Sequence, residues 1–199
     1  MNTPKVVLWD VMGTLVTEPF LEAMPKHFGM SFSDMVAAKD KLSWIDFEHG
    51  LIDEETYCER FFADRRPIDR EALKKTMRAS YALLPGVESM LRELAAAGFR
   101  QYALSNYSEW YKLIEEATGL SRYIGWDFVS CRTGHRKPQP DAYRVPLKSL
   151  AVQPDECVFI DDRQKNIDAA RDLGLHAILR TPSAEQLRRE LVDLGLLQG

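Results

Sequence analysis

Four places in this chain carry groups able to do chemistry, and three of them close an apolar run. Val6-Val7-Leu8-Trp9 ends in Asp10 and continues as Val11-Met12-Gly13-Thr14-Leu15. Tyr102-Ala103-Leu104 ends in Ser105-Asn106, and Val158-Phe159-Ile160 ends in Asp161-Asp162. The fourth is Lys137-Pro138, in the polar stretch 132–140. A carboxylate at the end of a buried strand must be hydrogen-bonded, paired or metal-bound, or its pKa shifts. Two adjacent acids raise one another's pKa unless a cation sits between them. With Asp10 they form an oxygen-rich set that suits a hard cation such as Mg²⁺. Ser105 alone reads as a helix cap, and Lys137 alone as a solvated loop lysine.

The elements that must position these groups alternate. After the first strand the pattern is helical to Leu84, with Ser33 as an N-cap and a stripe of Ala38, Leu42 and Ile45. Gly50 ends that helix, Asp53-Glu54-Glu55 opens the next, and Asp69 caps a third through about Leu83. Pro85-Gly86 marks a boundary, followed by the amphipathic run Val87, Met90, Leu91, Leu94 and Ala95. Strands at 102–106, 126–130, 158–162 and 177–179 then alternate with helices, one of them opened by Pro140 and predicted to kink or break at Pro146. Such alternation implies an α/β fold, a Rossmann-like parallel sheet with helices on both faces. The division is a core of residues 1–16 and 85–199, with a small helical cap of residues 17–84 inserted above the strand ends. In a parallel sheet all four groups reach one edge, where ligands bind.

Composition sets bounds. The 199 residues are 45% hydrophobic and 28% charged, ordinary for a globular protein. A net charge of -4 argues against a nucleic-acid or anionic-membrane footprint. No apolar run approaches the roughly 18 residues of a membrane span. Cys58, Cys131 and Cys157 lack metal spacing and read as reduced thiols. The first strand starts close to the beginning, which points to a cytoplasmic protein, or an organellar one after removal of a transit peptide.

Asp10-Val11-Met12-Gly13-Thr14-Leu15, Ser105, Lys137-Pro138 and Asp161-Asp162, in this order, resemble the four motifs of the haloacid dehalogenase-like superfamily, in the subgroup with a helical cap. The first motif of that family is D-x-D-G-T-[LV], and here Met12 replaces its second Asp. The resemblance implies Asp10 as a nucleophile that becomes an aspartyl-phosphate, and Lys137 as the cation neutralising it. It implies Mg²⁺ held by Asp10, the backbone carbonyl of Met12 and Asp162, with Asp161 acting through a water or behind the ligands. Ser105 and the Asn106 N–H would bind phosphoryl oxygens. The substrate implied is a small phosphorylated metabolite.

Met12 removes the family's proton carrier, and general acid–base catalysis is worth about 10²–10⁴ in rate. His135 is one neighbour that could supply a proton. An alternative is a catalytically weak protein that acts by binding. A second is a metal-independent 2-haloacid dehalogenase, whose halide leaves without a proton; the pair Asp161-Asp162 favours the phosphatase. Met12, Ser43-Trp44-Ile45-Asp46-Phe47-Glu48, Gly50-Leu51-Ile52-Asp53-Glu54-Glu55 and Phe159-Ile160-Asp161-Asp162-Arg163 are also similar to plant chloroplast members described as flavin mononucleotide hydrolases. On that likeness Trp44 and Phe47 would stack on a planar ring, with Tyr107 or Trp110 bordering the pocket.

Overall fold

The computed structural model describes residues 4–198; residues 1–3 and 199, the ends of the expected core division, lie outside them. Five parallel strands form one sheet in the order β3-β2-β1-β4-β5. They are β1 (Val6–Trp9), β2 (Arg100–Ser105), β3 (Gly125–Val129), β4 (Cys157–Asp161) and β5 (His176–Leu179). The central β1 has no solvent-facing side, and all four of its residues are buried. Val7 and Trp9 join one apolar cluster and Val6 and Leu8 the other, as alternation across a pleat requires. Register pairs Trp9 with Ala103 on one side and Ile160 on the other. The ends of β1, β2 and β4 therefore fall level, which brings Asp10, Ser105 and Asp161 to one edge.

Between β1 and β2 lie α1 (Ala23–His27), α2 (Phe32–Ala38), α3 (Ser43–Glu48), α4 (Glu54–Glu59), α5 (Arg70–Ser80) and α6 (Val87–Ala96). Then follow α7 (Tyr111–Thr118), α8 (Ser130–Thr133), α9 (Pro140–Leu150), α10 (Gln164–Asp172) and α11 (Ala184–Asp193). Residues of α6, α7 and α11 fill the cluster on the Trp9 face, and those of α9 and α10 the cluster on the Leu8 face. The chain leaves the sheet edge and returns to it through two adjacent strands of backbone. Thr17 N–H donates to the Ala82 carbonyl at 3.0 Å, Leu84 N–H to Leu15 at 2.9 Å, and the Thr17 hydroxyl to Ser80 at 2.6 Å.

Three local expectations are corrected. Ser31, not Ser33, caps α2, its hydroxyl accepting from the Asp34 N–H. The stripe through Ala38, Leu42 and Ile45 is two helices, because the Asp40 carboxylate accepts from the Leu42 and Ser43 N–H groups and turns the chain there. Pro146 does not break α9, which runs from Pro140 to Leu150. The three cysteines are free thiols, and no helix among the described residues is long and apolar enough to cross a membrane.

Candidate active site

Asp10 follows β1 directly and keeps the ladder for one more residue, its N–H donating to Ile160 at 2.8 Å. The turn beyond it is tight: the Val11 carbonyl accepts from Thr14, Leu15 and Val16. Gly13 holds φ +73 there, and a Cβ on it would stand 2.8 Å from Asp162 Oδ2. Both the backbone conformation and the close approach require glycine. The Thr14 hydroxyl donates to Asp10 Oδ2 at 3.1 Å.

Lys137 is 3% exposed, and its ammonium donates to Asp10 Oδ1 at 2.7 Å and Asp161 Oδ2 at 2.6 Å. Burial opposes its charge, but the two carboxylates hold the lysine above its ordinary value. Asp161 is wholly buried and fully engaged, since Asn166 Nδ2 reaches both its oxygens at 2.9 Å and the Arg163 N–H donates to Oδ1 at 2.8 Å. Asp162 lies outside this network at the rim, with a side chain 37% exposed. Asn106 clamps the lysine loop with its side chain, accepting from the Lys137 N–H at 2.7 Å and donating to the Lys137 carbonyl at 2.8 Å.

Asp10, Asp161 and Asp162 offer carboxylate oxygens within 4.8 Å of one another. One ammonium does not balance three acids. Burial pushes the Asp10 carboxyl up to about 6, with Lys137 pulling it down and Asp161 pushing it further up. Burial and Asp161 likewise raise Asp162. The donor set is hard, all-oxygen and short of positive charge, so it fits a divalent cation such as Mg²⁺.

Of the three acids, Asp10 lines a cavity of about 260 Å³. Its polar wall includes Asp10, Ser105, Asn106, Lys137 and Asn166. Its other wall comes from the inserted helices and their connections, through Phe20, Met24, Trp44 and Met77, together with Met12 from the turn after β1 and Tyr107 from the loop after β2. Trp44 stands edge-on to Tyr107, ring centroids 5.3 Å apart. Beside Trp44 is the buried Glu48, paired with Arg136 at 2.5 Å.

The structure thus brings together Asp10, Met12, Ser105, Asn106, Lys137 and Trp44 on one cavity; Asp161 and Asp162 are not among its lining residues and stand beside Asp10, their carboxylate oxygens within 4.8 Å of one another. Phe47 is not among its lining residues. It is 1% exposed, stacked on Tyr57 at 4.5 Å and edge-on to Trp110, so its ring is spent on packing. Trp110 is buried with it, its indole N–H donating to Glu54. His135 also stays off the cavity and bonds Thr133. Sequence reasoning missed Asn166, Glu18 and the Glu48–Arg136 pair. Asn166 carried a weak signal as an amide in the first turn of the helix that follows two acids.

Comparison with known proteins bears on the family and the fold. The haloacid dehalogenase-like hydrolase family model matches residues 4–174. A chloroplast flavin mononucleotide hydrolase of Arabidopsis thaliana is 41% identical over 191 residues, covering 96% of this chain and 78% of that protein. A sesquiterpene phosphatase of Aspergillus oryzae is 26% identical over 193 residues, covering 92% of each. Among solved structures, a HAD family enzyme of Bacteroides thetaiotaomicron in complex with magnesium and inorganic phosphate superposes with a TM-score of 0.74 at 17% identity, over 90% of this chain and 95% of that one. The chain belongs to the haloacid dehalogenase-like hydrolase family, and it is a hydrolase of the phosphatase type.

Proposed function

We propose that this enzyme is a Mg²⁺-dependent phosphatase of small monoesters that forms an aspartyl-phosphate on Asp10, with flavin mononucleotide as its leading substrate. The observation that carries this is the two-sided cavity. One end offers a carboxylate, a buried ammonium and a serine hydroxyl; the other is a wall of aromatic rings and thioethers. A phosphate joined to a large planar ring matches both ends. The Arabidopsis relative, named for hydrolysis of that nucleotide, supports the choice.

Asp10, the Met12 carbonyl and Asp162 would hold the cation, with Asp161 behind them tied to Lys137 and Asn166. Bound there, Mg²⁺ would supply charge neutralisation between nucleophile and phosphate. Lys137 fixes one Asp10 oxygen and Thr14 the other, so the carboxylate is aimed before substrate arrives. The Ser105 hydroxyl and the Asn106 N–H take phosphoryl oxygens. Residues 17–84 act as the cap that sets substrate choice, and Trp44 is their contact to the ring. The enzyme works in the cytoplasm or, once a transit peptide is removed, in an organelle.

The test is phosphate release from flavin mononucleotide and a panel of aliphatic and aryl monoesters, with Mg²⁺ and with EDTA, for wild type and Asp10→Asn. The expected result is Mg²⁺-dependent release, highest kcat/KM for flavin mononucleotide, and a fall of about 10³-fold or more in Asp10→Asn. Release no greater than the Asp10→Asn background would leave a binding protein.

A further inference from the structure

A phosphate ester of an ordinary alcohol leaves as an alkoxide unless a proton reaches it, and the Met12 thioether has none to give. If a side chain supplies that proton, it is another group on the same cavity. Lys137 is bound to two carboxylates and held charged. Glu48 is engaged by Arg136. Tyr107 shares a short 2.6 Å bond with the Tyr81 hydroxyl, and burial pushes its phenol far above neutrality. Guanidinium groups do not titrate. Glu18 remains.

Glu18 lines the cavity together with Asp10 and Met12. It lies on the outgoing strand of the insertion, one residue after Thr17, whose backbone is bonded to Ala82. One of its carboxylate oxygens accepts the Phe20 N–H at 3.1 Å, which fixes the side chain. Its other oxygen takes no hydrogen bond from the described residues. The charged groups facing it are Arg163 and Asp162, from the turn after β4. The phenols of Tyr81 and Tyr107 face it from the end of the insertion and the loop after β2.

We propose that Glu18 is the proton carrier of this enzyme, in place of an acid at position 12. The inference rests on the phosphatase reading above. In the first step an Asp10 oxygen bonds to phosphorus, the bond from phosphorus to the ester oxygen breaks, and that oxygen takes the Glu18 proton and leaves as the alcohol. In the second step water attacks the phosphorus of the aspartyl-phosphate and gives its proton to the Glu18 carboxylate. Orthophosphate leaves, and Asp10 and the Glu18 acid are restored. Burial raises the Glu18 carboxyl above the ordinary glutamate value, against the pull of the Phe20 N–H and Arg163, which favours the protonated form that the first step needs.

The test compares kcat/KM of Glu18→Gln for an alkyl phosphate and for p-nitrophenyl phosphate. This constant reports only the steps through departure of the alcohol, and nitrophenolate leaves without help. The ratio of the two is independent of the folded fraction of the sample. We expect a loss of about 10²-fold or more on the alkyl ester and about threefold or less on the aryl ester. Nitrophenol should appear as a burst followed by slow turnover, because the aspartyl-phosphate now waits for a base. Adding Met12→Asp to Glu18→Gln should restore the alkyl-ester value by about tenfold or more. Equal losses on the two esters, or no loss on either, would overturn the proposal. A wild-type enzyme that releases phosphate from neither ester nor from flavin mononucleotide would instead remove the phosphatase reading beneath it.

Discussion

Lys39 is a cation placed where water is scarce. Its ammonium lies 4.2 Å from the centroid of Phe61 and 5.3 Å from that of Phe20, and its one hydrogen bond among the described residues is a long 3.5 Å contact to the Tyr57 hydroxyl. Burial lowers it from the ordinary 10.5 to about 8. Below pH 8 the lysine is charged in both folded and unfolded chains, and the folded state carries the desolvation cost. Between about 8 and 10.5 the unfolded chain binds more protons, so this group makes stability rise with pH. Lys39→Met should therefore stabilise the protein at pH 7 by about 1 kcal/mol, after the lost attraction of the rings is offset. The gain should shrink as pH passes from 8 to 10.5, as read by urea denaturation at each pH. The residues legible from sequence were those whose chemistry has no cheap structural use: Asp10 and the pair Asp161-Asp162. Glu18 and Phe47 were not. An acid in a polar loop and an aromatic at helical spacing look alike whether they face a ligand or a neighbour, and only the turn of the chain decides.

At the scale of elements, the insertion is fastened to the sheet domain well away from its base. The Ser130 hydroxyl, at the start of α8, donates to the Glu48 carbonyl at 2.5 Å, and Glu54 at the start of α4 accepts from Trp110. Just past α3, Gly50 holds φ +72 against α8, and a Cβ there would stand 2.5 Å from the Cys131 carbonyl. Gly50→Ala should therefore cost about 2 kcal/mol or more in unfolding free energy, combining backbone strain with a clash that no side-chain rotation relieves. A loss below about 0.5 kcal/mol would mean that α3 does not press on α8 in solution. The strands, their parallel order and the amphipathic helices of the sheet domain could be read from period and punctuation. The junction could not, because a glycine after a helix signals only a stop, and its contact lies 81 positions along the chain.

Over the whole molecule, one apolar cluster runs from Val7 and Trp9 in the sheet, through Trp110, to Phe47, Tyr57 and Phe61 in the inserted helices. The insertion has no separate core to keep when the sheet melts. Calorimetry should show one transition, with van't Hoff and calorimetric enthalpies equal. An earlier transition of the insertion alone would contradict the shared cluster. The paired strands at its base, with the Thr17 hydroxyl fastened across to Ser80, then take on another meaning. They tie the two ends of the insertion together as a pivot would, and Glu18 stands one residue beyond the fastening. On the proposed mechanism the sheet would set the aim of Asp10, while the pivot would set the reach of Glu18. Reaction timing would then be a mechanical property: slack at the pivot would slow esters of ordinary alcohols first, with every group on the sheet edge still in place.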